Sequence, residues 1–459
     1  MSSPTIRTTQ EQISAVENRT KHTVSIIGCG RTGILHAILF ADAEFKAICV
    51  DSDQPTVNQI LRGKASFLEA ETEAKLKNHV KAGCLSATSE IGEAVSHSII
   101  IAITTPVKIN SKKKPEYSDL ESLCKRIGSC LQNGSVVIML SPTGIGITEG
   151  LMRENFENTS GLKAGKDFAL AYSPIQTLHT RTLEETADCR RIVAASDKDS
   201  LDVASAILKA VSRKGIIATT NVKAVEVAAL VEVLRQDTHV ALANETALLC
   251  EKAGVDCIEV QRISEKDSDD PSPASVIADE SFSEEPYILL EELENLNLKS
   301  RQAAAARDTN EETVKHVANL AKDALKSCGK TLKRAKIAFL GASQIPNSHG
   351  PVKRTARKIV ENLEARGAKT SLYDPYLSET EVAGTSFHLK KTLAEATERT
   401  DLIIIMTAHD QFTHLNLRKL KLTMKMPAAI VDLEGIAEPS KIEKEGFVYR
   451  GLGRGVWTK

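Results

Sequence analysis

"TVSIIGCGRTGILHA", Thr23 to Ala37, begins as a β-branched apolar run, meets three glycines in G-x-G-x-x-G spacing, and continues as an apolar helical pattern. Each glycine has its own reason. Gly28 turns the chain tightly out of the strand, Gly30 lets the backbone approach a pyrophosphate, and Gly33 lets the helix pack close to the sheet. The free amides that open the helix, around Thr32, carry partial positive charge toward the phosphates. Arg31 can reach a phosphate or face water. The next apolar run, "FKAICVD", ends at Asp51, roughly 20 residues on, where a carboxylate bonds a ribose 2′-hydroxyl and repels a 2′-phosphate. The pattern predicts NAD in preference to NADP. A tight turn that binds nothing is the competing reading.

The same alternation extends outward. "SIIIAITTP", "SVVIMLSP", "FALAYSP", "RIVAAS" and "IIATT" are short apolar runs separated by helical patterns. Continuous apolar strands between helices require a parallel sheet covered on both faces, so residues 23–220 are predicted to be a doubly wound α/β domain. Its strand ends carry small hydroxyl residues, prolines and glycines at Thr104, Thr105, Pro106 and Thr143, where a ligand of an open α/β sheet lies. Residues 221–330 read almost entirely as helix, opening with one long helix that is apolar around most of its circumference. Such a helix is buried under other elements or against a second subunit, which predicts a homodimer. An acidic, Ser/Pro-rich loop, "SEKDSDDPSPASVIADESFSEEP", interrupts this part. From 331 to 459 a second, Rossmann-like α/β unit follows, with "KIAFLG", "KTSLYDP", "DLIIIMT", "AAIVDLEG" and "FVYRGLG" as strands. The two α/β units share a layout but no close sequence repeat. Residues 1–22 read as a loose or weakly helical lead-in without the apolar region of a signal peptide.

At 459 residues the chain exceeds one core. A net charge of −1 gives no general attraction for nucleic acid or an anionic membrane, and the basic run "SKKKP" at Ser111–Pro115 reads as a solvated loop. No apolar stretch is long enough to span a bilayer. The nine cysteines lack C-x-x-C spacing, and several lie inside apolar runs, as in a reduced, cytoplasmic protein. No cluster has metal-ligand spacing.

The order of these pieces, with phrases such as "LAYSP", "ALANETALLCEKAGVD", "AARDTNEET", "GAKTSLYDPYL" and "YRGLGRG", resembles the UDP-glucose/GDP-mannose dehydrogenase family over nearly the whole chain from Thr23. The resemblance implies an N-terminal NAD-binding domain, a central helical dimerisation domain and a C-terminal domain for the nucleotide of a sugar nucleotide. It also implies a four-electron oxidation of a sugar C6 alcohol to a carboxylate, with two NAD reduced. In that reaction a cysteine carries the thiohemiacetal and thioester, a lysine and an asparagine on the central helix stabilise the oxyanion, and a carboxylate activates water.

Those reacting groups are replaced here. Aligned on the Pro-Tyr pair of "ESFSEEPYILL", Ser281 stands at the cysteine and Glu285 at a nearby aspartate. Serine has a far higher pKa than a thiol and needs an adjacent base. Ala229 and Val233 stand at the lysine and asparagine, and Ile175 at a carboxylate. Cys257 is the nearest alternative thiol, in what reads as an ordinary apolar helix position. In the C-terminal domain Ile345 and Val352 take the places of two substrate-holding cations, with Lys353 and Arg354 adjacent. The expectation is a chain that holds NAD(H) without the family's cysteine-dependent oxidation. Two alternatives stay open: an active UDP-sugar dehydrogenase of polysaccharide precursor synthesis, and a one-step NAD-dependent oxidoreductase. If the chain is active, Ser281, Glu285 and His179 are the first candidate catalytic residues. His239 and Glu226 are further candidate bases for a single hydride transfer, although His239 reads first as a core residue. Asn244, Glu245, His409 and Asp410 match family phrases and read as structural.

Overall fold

The computed structural model describes residues 6–14, 16–65, 67–175, 182–264, 284–349, 352–382 and 385–457. The chain forms two compact units, Met1–Leu234 with Glu284–Ser300, and Arg235–Ser283 with Arg301–Lys459. The boundary falls inside the long helix Val222–Ala253, and the segment Glu284–Ser300 belongs with the first unit and not with the other helices around it.

The first unit is built on strands β1 (Thr23–Ile27), β2 (Lys46–Val50), β3 (Leu85–Thr88), β4 (Ile100–Ile103), β5 (Lys108–Ile109), β6 (Pro115–Glu116), β7 (Val136–Met139), β8 (Ala169–Tyr172), β9 (Arg191–Ala194) and β10 (Ile216–Thr219). All except β5 and β6 form one sheet in the order β10-β9-β8-β7-β4-β1-β2-β3. From β3 to β8 the neighbours are parallel, while β9 meets β8 antiparallel at Ala194 and Tyr172. Every residue of β4, β7 and β8 is buried, as strands covered on both faces must be. The order reverses at β1, between β2 and β4, and the crevice above that point is where an open α/β sheet takes its ligand. Strand β3, an edge strand of sequence Leu-Ser-Ala-Thr, and the hairpin β5–β6 have too little apolar pattern to be read from sequence.

Two expectations about the first unit are corrected. The lead-in is a docked helix, Ile6–Ser14, that packs on helix Lys198–Lys209, with Ile6 and Ile13 buried and Thr9 Oγ1 donating to Gly134 O at 3.1 Å. The basic run is not merely solvated. Lys114 Nζ lies 2.9 Å from Glu291 and 3.1 Å from Glu294, and Lys113 lies 5.4 Å from the Tyr287 ring centroid. Exposed pairs of this kind add little stability, but they do fix where helix Glu285–Asn295 lies on the hairpin.

Helix Arg31–Asp42, which carries the third glycine, is held from below by a buried polar chain. His36 Nδ1 donates to Thr32 O at 2.7 Å, so Nε2 is the bare nitrogen, and it accepts from Arg191 at 2.8 Å. His36 is thus neutral. Burial, with the adjacent Arg191 cation adding, lowers its pKa to about 3. Arg191, only 2% exposed, also donates to Thr186 O at 3.2 Å, and burial lowers its own pKa to about 10.

The second unit carries β11 (Lys336–Leu340), β12 (Lys369–Tyr373), β13 (Leu402–Ile405), β14 (Ala429–Asp432) and β15 (Val448–Gly451), all parallel, in the order β12-β11-β13-β14-β15. Its helical part is tied by a buried network. Arg307 pairs with Asp237, Asn310 Nδ2 donates to Asp237 at 2.9 Å, and Asn244 Nδ2 donates to Asn310 at 2.8 Å. Asn244 is structural, as its match suggested, whereas Glu245 is exposed.

The His36 arrangement has a pH consequence. Its folded pKa lies below the unfolded value near 6.5, so its contribution is complete above about 6.5 and is lost as pH falls toward 3. Between pH 7 and pH 5 the wild-type chain should lose about 2 kcal/mol that His36→Gln does not lose. Urea unfolding of both at the two pH values measures this, and equal losses would show that His36 charges freely in the fold.

Candidate functional site

A cleft of about 560 Å³ opens at the carboxyl edge of the first sheet. Gly28, Gly30, Arg31, Thr32 and Gly33 wall one side, and Asp51, Thr105 and Pro106 also line it. The glycines have the separate roles that their spacing predicts. Gly28 has φ +101°, and a Cβ there would lie 2.9 Å from Thr105 Oγ1. A Cβ on Gly33 would stand 1.9 Å from Gly28 O. A Cβ on Gly30 would meet no atom within 4 Å, so its absence leaves space in the cleft and not in the protein. Gly30 caps helix Arg31–Asp42 without any side-chain bond, which leaves the first-turn amides for a ligand. An open cradle of this size over uncapped amides fits a dinucleotide diphosphate.

Side chains hold the turn in place. Asp51 Oδ2 accepts from the Cys29 amide at 2.8 Å and Oδ1 from the Asp53 amide at 3.0 Å, which leaves lone pairs for a ribose hydroxyl. Thr104 Oγ1 donates to Gly28 O at 2.6 Å and Thr105 Oγ1 to Ile27 O at 3.2 Å. Arg31, left open between phosphate and water, donates to Phe67 O and lies 5.9 Å from the Phe67 ring centroid.

Beyond the glycines, the cleft is lined by Leu140, Ser141, Pro142, Ile175 and Glu285 from the ends of β7 and β8 and the start of helix Glu285–Asn295. Thr143 is a correction. It is fully buried and does not line the cleft, because the loop it begins is pulled inward. Glu226, on the long helix, accepts from the Gly146 amide at 2.6 Å and the Thr148 amide at 3.0 Å, and Tyr117 Oη accepts from Gly144 at 3.0 Å. Both Glu226 oxygens are engaged by backbone, so it is a clamp and not a free base. Behind Thr143, burial together with the charges of Glu226 and Glu285 pushes the Tyr172 phenol up.

Of the candidate catalytic residues, Glu285 is half-buried on the cleft wall, while Ser281 and His179 lie outside the described residues. Ala229 and Val233 do not line the cleft. Cys257 is buried in the second unit, and burial, with Cys250 beside it, pushes its thiol up to about 12, far from a thiolate at neutral pH. Among the described residues no group of His, Cys, Asp and Glu could hold a metal ion, and no helix is long and apolar enough to cross a membrane.

Sequence reading missed one wall entirely. Asp119, Ser122, Leu123 and Arg126 of helix Ser118–Gly128 line the cleft. Their i, i+3, i+4, i+7 spacing marks one helix face, but the mixed charges on it give no motif.

The second unit repeats the strand-end device. Gly341 has φ +79°, with Thr407 Cβ 2.6 Å from where its own Cβ would be. Asp374 Oδ2 accepts from the Ala342 and Ser343 amides, each at 2.8 Å. Burial pulls the Asp374 carboxyl up, and bonds from His409 and these amides outweigh it and leave the pKa at about 2. His409 Nδ1 accepts from the Asn347 amide at 2.8 Å, so Nε2 carries the proton toward Asp374 at 3.3 Å and Ser343 Oγ at 3.0 Å. A ring protonated there cannot take the serine proton, which excludes a Ser-His-Asp nucleophile. Lys353 is buried and bonds Met406 O and Glu434, each at 2.8 Å.

The glycines separate binding from folding. Gly33→Ala should cost about 1–3 kcal/mol of stability by overpacking. Gly30→Ala should leave the melting temperature unchanged while weakening NAD(H) binding at least tenfold. Calorimetric melting and NADH titration of both variants test this, and a destabilised Gly30→Ala with intact binding would place the ligand elsewhere.

Three segments match domains of one family, the UDP-glucose/GDP-mannose dehydrogenases. They are residues 22–212 with the NAD binding domain, 223–312 with the central domain and 338–439 with the UDP binding domain. The chain is 28% identical over 435 residues to the UDP-N-acetyl-D-mannosamine dehydrogenase of Pyrococcus horikoshii, covering 94% of this chain and 99% of that one. It is 26% identical over 407 residues to the Escherichia coli K12 enzyme of the same name, covering 86% and 95%. The solved P. horikoshii UDP-D-ManNAc dehydrogenase superposes with a TM-score of 0.82 at 26% identity, over 95% of this chain and 100% of that one. A UDP-glucose dehydrogenase structure from Pyrobaculum islandicum shares the fold with a TM-score of 0.79 at 20% identity, over 94% and 98%. With its glycine turn, its NAD-binding unit and its three matched domains, the chain belongs to the UDP-glucose/GDP-mannose dehydrogenase family.

Proposed function

We propose that this protein binds NAD(H) and a nucleotide-sugar-like ligand and does not perform the family's cysteine-dependent oxidation of a sugar alcohol to a carboxylate. The observation that carries this reading is Ile175, an aliphatic side chain on the cleft wall at the place of the family's carboxylate, beside an otherwise complete dinucleotide site. Ala229 and Val233 offer no charge to an oxyanion. Cys257 is held as a neutral thiol, and Ser281 has no thiol chemistry at all. NAD, once bound, supplies a hydride acceptor, and the reading concerns what is missing around it.

One observation favours a second reading. Glu285 lies on the same wall, and a single hydride transfer requires only a base and an oxyanion partner. Purified protein incubated with NAD and UDP- and GDP-sugars, UDP-N-acetylmannosamine included, separates the two. The proposal expects no NADH above the sugar-free control, from protein shown by nicotinamide fluorescence to bind NADH. Turnover that yields a uronate would overturn it. Turnover that halts after one hydride and is lost in Glu285→Gln would support the second reading.

The helix Val222–Ala253 supports the proposed homodimer. Leu242 is 60% exposed and Leu249 is 68% exposed, seven residues apart on one face, and a second copy would cover them. Sedimentation equilibrium should give a dimer for the wild type and a monomer for the Leu242→Glu, Leu249→Glu double variant. A monomeric wild type would sink this part of the proposal.

A further inference from the structure

We infer that Arg126 closes the adenine end of the dinucleotide site by laying its guanidinium on the adenine ring. The inference rests on the NAD-binding reading and adds a residue that the glycine motif does not contain. Asp119, Ser122, Leu123 and Arg126 share one helix face toward the cleft. Asp119 is already paired with Lys108. The Arg126 guanidinium is solvent-exposed and, among the described residues, has no ion-pair or hydrogen-bond acceptor.

The neighbours of its helix show which part of the cleft Arg126 lines. A Cβ on Gly92 would lie 3.3 Å from Cys130 Sγ, and Gln132 Nε2 donates to Ser96 O at 2.5 Å. The end of helix Ser118–Gly128 therefore stands against helix Ile91–Ser96, which itself packs on β1 and β2. Ile91 and Val50 share one apolar cluster, and Leu123 packs against it. Arg126 and Ile91 line the same cleft, and helix Ile91–Ser96 packs on β2, the strand that leads to Asp51, so we set Arg126 at the Asp51 end.

What that end can hold follows from its chemistry. The uncapped amides that suit phosphate belong to the turn at Gly30–Gly33. Ile91 and Leu123 give the cleft apolar lining beside Ser122 and the paired Asp119, and the carboxylate of Asp51 in the same cleft disfavours a second anion such as a 2′-phosphate. A flat, uncharged, aromatic ring fits this surrounding. A guanidinium is the cation suited to covering one, because it is planar, weakly hydrated and stacks on aromatic faces.

The test is calorimetric titration of the full-length wild type, Arg126→Ala and Arg126→Lys with NAD, ADP-ribose and nicotinamide mononucleotide. The expected result is a loss of about tenfold for NAD and ADP-ribose in Arg126→Ala, with mononucleotide binding unchanged. Arg126→Lys should recover little of the loss, because an ammonium lacks the planar face. A wild type that fails to bind NAD would defeat the parent reading. A wild type that binds NAD, with an Arg126→Ala that binds ADP-ribose equally well, would overturn this inference alone. Full recovery in Arg126→Lys, with affinity falling steeply in salt, would identify a phosphate contact and overturn the stacking assignment.

Discussion

A strand that passes straight into a helix leaves its first loop amides with no partner in either element, because they are past the ladder and ahead of the helical bonds. In the first unit one carboxylate at the end of the neighbouring strand resolves the problem, and in the second unit, where residues 341–353 separate β11 from its helix, a carboxylate holds the first loop amides in the same way. Gly28 N donates to Val50 O, and the next residue, Cys29, donates to Asp51 Oδ2. Gly341 N donates to Tyr373 O, and Ala342 and Ser343 donate to Asp374 Oδ2. Each carboxylate also accepts from the amide two residues ahead of it, Asp53 or Tyr376. In the first unit the turn is thus fixed from the side, and the approach to the helix N-terminus stays clear.

The two copies of this device then diverge. In the first unit Asp51 takes one loop amide, Gly30 has open space in front of it, and the helix start has no side-chain cap. In the second unit Asp374 takes two amides, His409 is buried against it, and Lys353 fills the strand ends with its bond to Glu434. Both helices start without a side-chain cap, and the edges differ in the side chains around them: open space before Gly30 in the first, the buried His409–Asp374 pair and Lys353 in the second. This difference lies in side chains, and it explains why the two units share a layout without sharing a motif.

The strands that the sequence disclosed are the apolar runs, and those at the centre of the sheets, β4, β7, β8, β13 and β14, are buried throughout. The runs at β1, β4, β7, β8 and β11 to β15 carry enough apolar residues to declare themselves, and the glycine turn with Asp51 located the dinucleotide cleft. Strand β3 was hidden because an edge strand with Ser and Thr has little to distinguish it from loop. The helix at Ile6–Ser14 was hidden because its buried residues, Ile6 and Ile13, are seven apart among polar ones. Thr143 misled because a hydroxyl at a strand end reads the same whether its loop faces the cleft or is drawn inward, and the residue that draws it inward, Glu226, is some 80 positions away. The wall at Arg126 is a tertiary fact of the same kind.

Distance along the chain also separates holding a dinucleotide from using it. The diphosphate and ribose end of holding relies on backbone amides, on glycines and on one nearby carboxylate, all within residues 28–51. The amides do not depend on side-chain identity, so drift elsewhere in the sequence leaves them intact. Under the proposed reading, hydride chemistry would instead rely on single side chains from distant segments: position 175 after β8, 229 and 233 on the long helix, and 281 and 285 far along the chain. Single substitutions at such positions need not disturb the fold, and Ile175 and Val233 are both buried apolar residues here. In a site assembled in this way, affinity for NAD(H) and oxidative chemistry can change independently of each other.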